Sequence, residues 1–264
     1  MSDNLPILSL TQGQLTLLET CPRKFQYVYL EGLRAPVSLE QQERALWGSQ
    51  FHLLMQQQAL ELPIQVMAEA DAEMLACVNA LQQAAPELFT PRPGTLRQSE
   101  HQRTLAFQGY LLTVVYDLLL LSPDRGQILD WKTYPQPPNQ LTLERNWQTR
   151  LYLYVLTETS DLTPEQVSLT YWFVRSPDPT CQPPTCHLVR YSRQRHQQTH
   201  QALLHLTSQL DQLRAQAQPF PKADIGHCQF CDFALRCDRP QRIQDGDLAR
   251  ALALDCETVA EMPL

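Results

Sequence analysis

The stretch "TVVYDLLLLSPDRGQILDWK", residues 113–132, decides how the chain is read. Two apolar runs rich in Val, Ile and Leu flank "SPDRG", whose proline and glycine mark a turn. This predicts two adjacent strands. Asp117 lies in the first run, Asp130 ends the second, and Lys132 follows two residues on. Residues i and i+2 of a strand share a face, so Asp130 and Lys132 point into one cleft. If the two runs pair, Asp117 meets Asp130 across the pair. The lysine stands out because only three of the 21 basic residues are lysines: Lys24, Lys132 and Lys222. Two carboxylates beside an ammonium make a site for a hard cation, Mg2+ or Mn2+, which takes oxygen ligands and pairs with phosphates. A compact ammonium can touch an attacking water or a phosphate, where a guanidinium is bulkier and never gives up its proton. An isolated D-x-K is a short, common pattern that most often marks a surface ion pair, so its surroundings have to decide.

Around this centre the pattern alternates between helix and strand. Residues 11–30 read as helix, opened by a capping box of Thr11 and Gln14 and broken at Cys21-Pro22. Residues 40–60 and 67–84 are further helices, and 85–99 a loop. "EHQRTLAF" and "YLLTVVYDLLLL" form a meander with "QILDWKT". Residues 141–158 return to helix, 167–175 read as a buried strand, "CHLVRYS" as another, and 192–217 as a long glutamine-rich helix. The expected fold class is α/β: a central mixed β-sheet flanked by helices, with a Cys-rich C-terminal tail joined to the N-terminal helix. The expected organisation is a single domain over 1–264: an N-terminal helix (1–35), a core (40–217), a Cys-rich segment (218–240) and a tail (241–264).

Motifs elsewhere support the acidic centre. "WGSQFHLLM" puts His52 on a helix four residues after Gly48, and "NWQTRLYLY" puts Gln148 and Tyr152 on one face of the helix after the D-x-K strand. Taken alone, each is weak: His52 reads as an ordinary helix-face residue, and Q-x-x-x-Y as chance. In order, G-x-x-x-H, D, D-x-K and Q-x-x-x-Y resemble the PD-(D/E)xK nuclease superfamily, specifically its RecB-like branch, which includes AddB-type and CRISPR-adaptation nucleases with iron–sulfur clusters. The resemblance spans nearly the whole chain and implies a restriction-endonuclease-like core. It implies His52, Asp117, Asp130 and the backbone carbonyl of Trp131 as metal ligands and Lys132 as the catalytic lysine. Gln148 and Tyr152 would contact the phosphate. Many members carry a glycine where this chain has Val114. Glu100 is a candidate additional acid, although an exposed glutamate is the plainer reading. The implied activity is Mg2+- or Mn2+-dependent hydrolysis of DNA, with exonuclease action in repair or recombination. The rival is an inactive subunit that binds DNA ends or partners a helicase.

"CQFCDFALRC" gives C-x2-C-x5-C at Cys228, Cys231 and Cys237. The resemblance nominates Cys21 as a fourth thiolate and implies a [4Fe–4S] cluster, with four-cysteine zinc as the alternative. Cys77 reads as core, and Cys181, Cys186 and Cys256 have no partner pattern. Arg23, Lys24 and Arg150, with Arg145, are candidates to line a groove for single-stranded DNA or DNA ends. A net charge of −7 argues against a nucleic-acid coat protein but not against a local basic groove. No apolar run reaches the ~18–20 residues of a membrane span, and the N-terminus lacks a signal-peptide layout, so the expected location is cytoplasmic and away from the membrane. There is no G-x-x-x-x-G-K-[ST], so any helicase action would come from a separate chain.

Overall fold

A computed structural model gives the fold and describes residues 8–64, 71–90, 92–134, 138–175, 183–216 and 218–239. The proposed tail 241–264, Cys181 and Cys256 lie outside the described residues. Six strands form one mixed sheet: β1 (Ser9–Leu10), β2 (Leu96–Phe107), β3 (Tyr110–Ser122), β4 (Arg125–Lys132), β5 (Val167–Phe173) and β6 (Thr185–Arg190). The order is β1-β3-β4-β5-β6, with β2 antiparallel along the other edge of β3. β3 and β4 form the expected antiparallel hairpin, and β4 runs parallel to β5. All seven residues of β5 are buried, as befits a strand in the middle of a sheet covered on both faces.

One face carries α1 (Gln12–Thr20), α6 (Trp147–Glu158) and α7 (Arg193–Ala215). They pack Leu15, Leu18, Leu151, Val155, Leu203 and Leu206 against Ile128, Leu169 and Tyr171. The other face carries α3 (Leu39–Ala59) and α4 (Ala72–Ala84), which set Phe51, Leu54, Met74 and Val78 against Leu118, Leu129 and Trp131. Fully burying each such side chain contributes about 1.5–3 kcal/mol, which fixes the register of the strands between the two layers.

Two expectations are refined. The helix expected over 141–158 is two helices, α5 (Gln140–Arg145) and α6, because Asn146 leaves helical geometry and its side chain accepts the Thr149 N–H at 2.8 Å. The first helix breaks at Cys21, as its Cys-Pro predicts: α1 ends, α2 (Pro22–Phe25) begins with proline at its first position, and a π-helical turn follows over Gln26–Leu30. Gln14 Oε1 accepts the Thr11 N–H at 2.7 Å, the reciprocal half of the expected capping box. The C-terminal segment is stitched to this region. Arg23 donates from Nε to the Phe220 carbonyl and from its backbone N–H to Pro221, while Gln26 Oε1 accepts the Phe220 N–H at 2.8 Å. Among the described residues, no helix is long and apolar enough to cross a membrane.

Candidate active site

The site forms where the β3–β4 hairpin comes apart. Register runs from Ser122↔Arg125 to Leu118↔Leu129, so the next positions outward are Asp117 and Asp130. Beyond them β4 stays with β5, paired through Lys132↔Phe173, and leaves β3. The Trp131 N–H, facing β3 with no ladder acceptor, donates to Asp117 Oδ2 at 2.6 Å. N–H and C=O of one strand residue face the same edge, so the Trp131 carbonyl, the expected ligand, also faces the Asp117 side.

Asp117's other oxygen, Oδ1, lies 3.3 Å from His52 Nδ1. His52 reaches it because α3 passes close over the end of β4. A Cβ on Gly48, one turn earlier, would sit 3.1 Å from Thr133 Oγ1, so only glycine fits there without displacement. Glu100 completes a group: ligand atoms of His52, Glu100 and Asp117 lie within 4.8 Å of one another. Burial opposes charge on His52, but the carboxylates of Asp117, Asp130 and Glu100 outweigh it and raise the imidazole pKa to about 9.

Asp130 belongs to a second, contiguous group. It is 2% exposed and Lys132 is 8% exposed. Lys132 Nζ lies 3.0 Å from Asp130 Oδ1 and donates to Gln148 Oε1 at 2.6 Å, while Gln148 Nε2 donates to Asp130 Oδ2 at 2.8 Å. The triangle is closed from below by Tyr171, whose ring centroid lies 5.1 Å from the ammonium. The Tyr171 hydroxyl is tied to Thr149 Oγ1 at 2.7 Å. Burial pushes the Asp130 pKa up to about 6, with Lys132 opposing and Asp117 reinforcing the rise. Asp130 Oδ1 is buried with an ion pair to Lys132 but no aligned hydrogen bond, leaving it acceptor capacity. Three carboxylates, one of them with an unsatisfied oxygen, and one imidazole at the end of two strands fit a hard divalent cation.

Other candidates lie elsewhere. Tyr152 is 2% exposed, its ring edge-on to Tyr116 and its carbonyl accepting the Tyr116 hydroxyl; it lies one turn beyond Gln148 on α6, within the core. Arg150 is on the opposite side of α6, with its guanidinium 3.9 Å from the Trp147 ring centroid. Arg23 is engaged with the C-terminal segment, and Lys24 Nζ lies 3.9 Å from Asp232. These two cations link the first helices to the C-terminal segment. Cys21 caps α2, with Sγ accepting the Lys24 N–H at 3.4 Å. Cys231 and Cys237 pack with Tyr27 and Phe233. Among the described residues, no three of Cys21, Cys228, Cys231 and Cys237 bring their sulfurs within 4.8 Å of one another. Tyr171 carried no motif: its place under Lys132 follows from the parallel register Asp130↔Tyr171, for which the sequence offers no local signal.

A sequence profile of the PD-(D/E)XK nuclease superfamily matches residues 9–238. The chain belongs to this superfamily. A candidate exonuclease from Eubacterium rectale is similar in structure, with a TM-score of 0.54 and 13% identity over 94% of this chain and 97% of the other. The protein SSO0001 shares 14% identity over 87% of this chain and 85% of its own, at a TM-score of 0.38. No curated protein sequence matches the chain. The β3–β4 hairpin sets Asp117 beside His52 and Glu100, and Asp130 with Lys132 and Gln148 in the adjoining group, so the two aspartates do not meet on one face as expected.

Proposed function

We propose that this protein is a Mg2+- or Mn2+-dependent deoxyribonuclease that hydrolyses phosphodiester bonds at DNA ends or in single strands, in repair or recombination. The observation that carries it is the continuous contact from His52 through Asp117 and Trp131 to Asp130, Lys132 and Gln148. A divalent cation held there supplies charge neutralisation for the phosphate and acidifies a water. His52, Glu100, Asp117, Asp130 and the Trp131 carbonyl are its ligands. Lys132, fixed by Asp130, Gln148 and Tyr171, presents its ammonium to the attacking water and the phosphate. Gln148, donating to one neighbour and accepting from the other, sets the direction in which both point. Exonuclease mode is drawn from the sequence resemblance and from the name of the Eubacterium rectale protein.

The test is cleavage of end-labelled single- and double-stranded DNA with Mn2+ or Mg2+ by wild type, Asp130→Ala and Lys132→Ala. Metal-dependent cutting lost in both variants supports the reading. Wild type that binds DNA and cuts no more than the variants replaces it with the partner-subunit role, beside a separate helicase chain. The same proposal assigns Cys21, Cys228, Cys231 and Cys237 to a [4Fe–4S] cluster, with zinc as rival. Its support is the C-x2-C-x5-C spacing and the bonds that hold the Cys21 region against residues 220–221. Absorption near ~400 nm from anaerobically purified protein distinguishes the two, because thiolate-bound iron absorbs there and zinc does not.

A further inference from the structure

At the far end of the same hairpin, three arginines converge on a cavity of about 80 Å³. Arg97 comes from β2, Arg125 from the start of β4, and Arg92 from the turn before β2. Thr90 and Thr95 also line the cavity, and among the described residues Glu87 is the carboxylate on its wall. Register explains the convergence: Arg97 lies opposite Leu120 and Arg125 opposite Ser122, so the two project from the strands on either side of β3, near the β3–β4 turn. Arg97 Nε is buried and has no hydrogen-bond partner, so a guanidinium donor is left unsatisfied inside the fold. Burial lowers the Arg97 pKa, and Glu61 is the carboxylate that partly offsets this. Forked N–H donors and hydroxyls around a small cavity suit a tetrahedral oxyanion.

We propose that this cavity binds a phosphate group other than the one at the carboxylates. Arg97 also lines the narrow cleft that contains Asp117, so the two sites share a wall. Leu120, the partner of Arg97, is three residues from Asp117, about 10 Å along the strand. That separation places the second phosphate on the same nucleic-acid strand, a few steps from the bond to be cut. This strand assignment rests on the nuclease reading; the anion site itself does not.

The test uses Arg92→Ala/Arg125→Ala, because both side chains are exposed and their loss spares the core. DNA affinity is measured by fluorescence anisotropy in chelator over a range of salt, and inorganic phosphate binding by calorimetry. A control, Arg190→Ala/Arg193→Ala, removes the same charge from exposed positions elsewhere. The expected result is a loss of ~5-fold in DNA affinity and a salt slope shallower by about 1 for the pocket variant, with the control close to wild type. If inorganic phosphate binds wild type but not the pocket variant while DNA affinity is equal, the site stands and its ligand is the free anion. Equal losses in pocket variant and control, or no change in either ligand, overturn the proposal. Since no cleavage is needed, a wild type that cuts DNA while the pocket variant binds both DNA and inorganic phosphate like wild type removes this inference and leaves the nuclease reading standing.

Discussion

Lys132→Met removes the ammonium while keeping the aliphatic stem, and its cost depends on pH in a way the geometry fixes. In wild type, Asp130 has a folded-state pKa of about 6, raised by burial above the ordinary ~3.9 of an unfolded aspartate. Below that pH Asp130 is protonated, and losing Lys132 costs little more than hydrogen bonding, about 1 kcal/mol. At pH 8 the wild type gains from ionised Asp130 about 1.4 kcal/mol per pH unit above 6, near 3 kcal/mol in all. Without Lys132 the buried carboxylate stays protonated and forgoes that gain. The folded variant then binds more protons than folded wild type, so its relative stability falls as pH rises through 6. The destabilisation should therefore grow from about 1 kcal/mol at pH 5.5 to roughly 4 at pH 8, within the 3–5 kcal/mol typical of a broken buried ion pair. Urea unfolding of chelated protein at the two pH values measures it through the shift in midpoint. A destabilisation that is the same at both, or below 1 kcal/mol at pH 8, would refute the picture of Asp130 and Lys132 as a desolvated pair.

Two further outcomes follow from the same contacts. Tyr171→Leu removes the ring face under the ammonium and should lower kcat about 3- to 30-fold with little change in KM, whereas Tyr171→Phe, which keeps the ring, should restore most of the rate; steady-state kinetics on a labelled oligonucleotide read this out, and a Phe variant as slow as Leu would assign the effect to the hydroxyl's bond with Thr149. Arg150→Ala should leave DNA affinity and its salt dependence unchanged, because its guanidinium stacks on Trp147, and should cost about 0.5–1 kcal/mol in thermal or urea unfolding.

Much of the centre was legible because its determinants are local. Asp130 and Lys132 share a face by the period of a strand, and Gln148 enters the helix that follows two residues after its cap. Periodicity gives a direction but not a depth. Gln148 and Tyr152 do lie on one face of α6, yet the helix starts at the rim of the sheet and runs beneath it, so the first residue reaches the site and the second is core. Arg23 and Lys24 illustrate a different limit. Their partners in the structure, Phe220 and Asp232, lie some two hundred residues away, beyond any local pattern.

Glu100 shows why the way the other half of the site comes together was not legible from strand periodicity. Residues 112, 114 and 116 of β3 face α6, and strict alternation would keep every even residue there; instead Leu118 faces α3, and Leu119 takes the α6 side. The switch falls at Asp117, where the β2–β3 ladder omits one pair, Glu100 and Asp117, and Glu100 adopts φ 48°. Without it, Asp117 would share Asp130's face and His52, on the opposite layer, would have no carboxylate to meet. A left-handed backbone at a non-glycine residue costs about 1–2 kcal/mol, so the glutamate is held there against local preference. Glu100→Gln removes the charge and keeps the strain, while Glu100→Gly removes both and adds about 0.5–1 kcal/mol of chain entropy on unfolding. Glycine should therefore be more stable than glutamine by about 0.5–1 kcal/mol in metal-free protein. Both variants should raise the Mn2+ concentration for half-maximal stabilisation by ~10-fold, measured as the metal-dependent rise in Tm. If glutamine is as stable as glycine, the backbone there is unstrained; if metal stabilises both as it does wild type, Glu100 is not a ligand and the cation is held by His52, Asp117 and Asp130 alone.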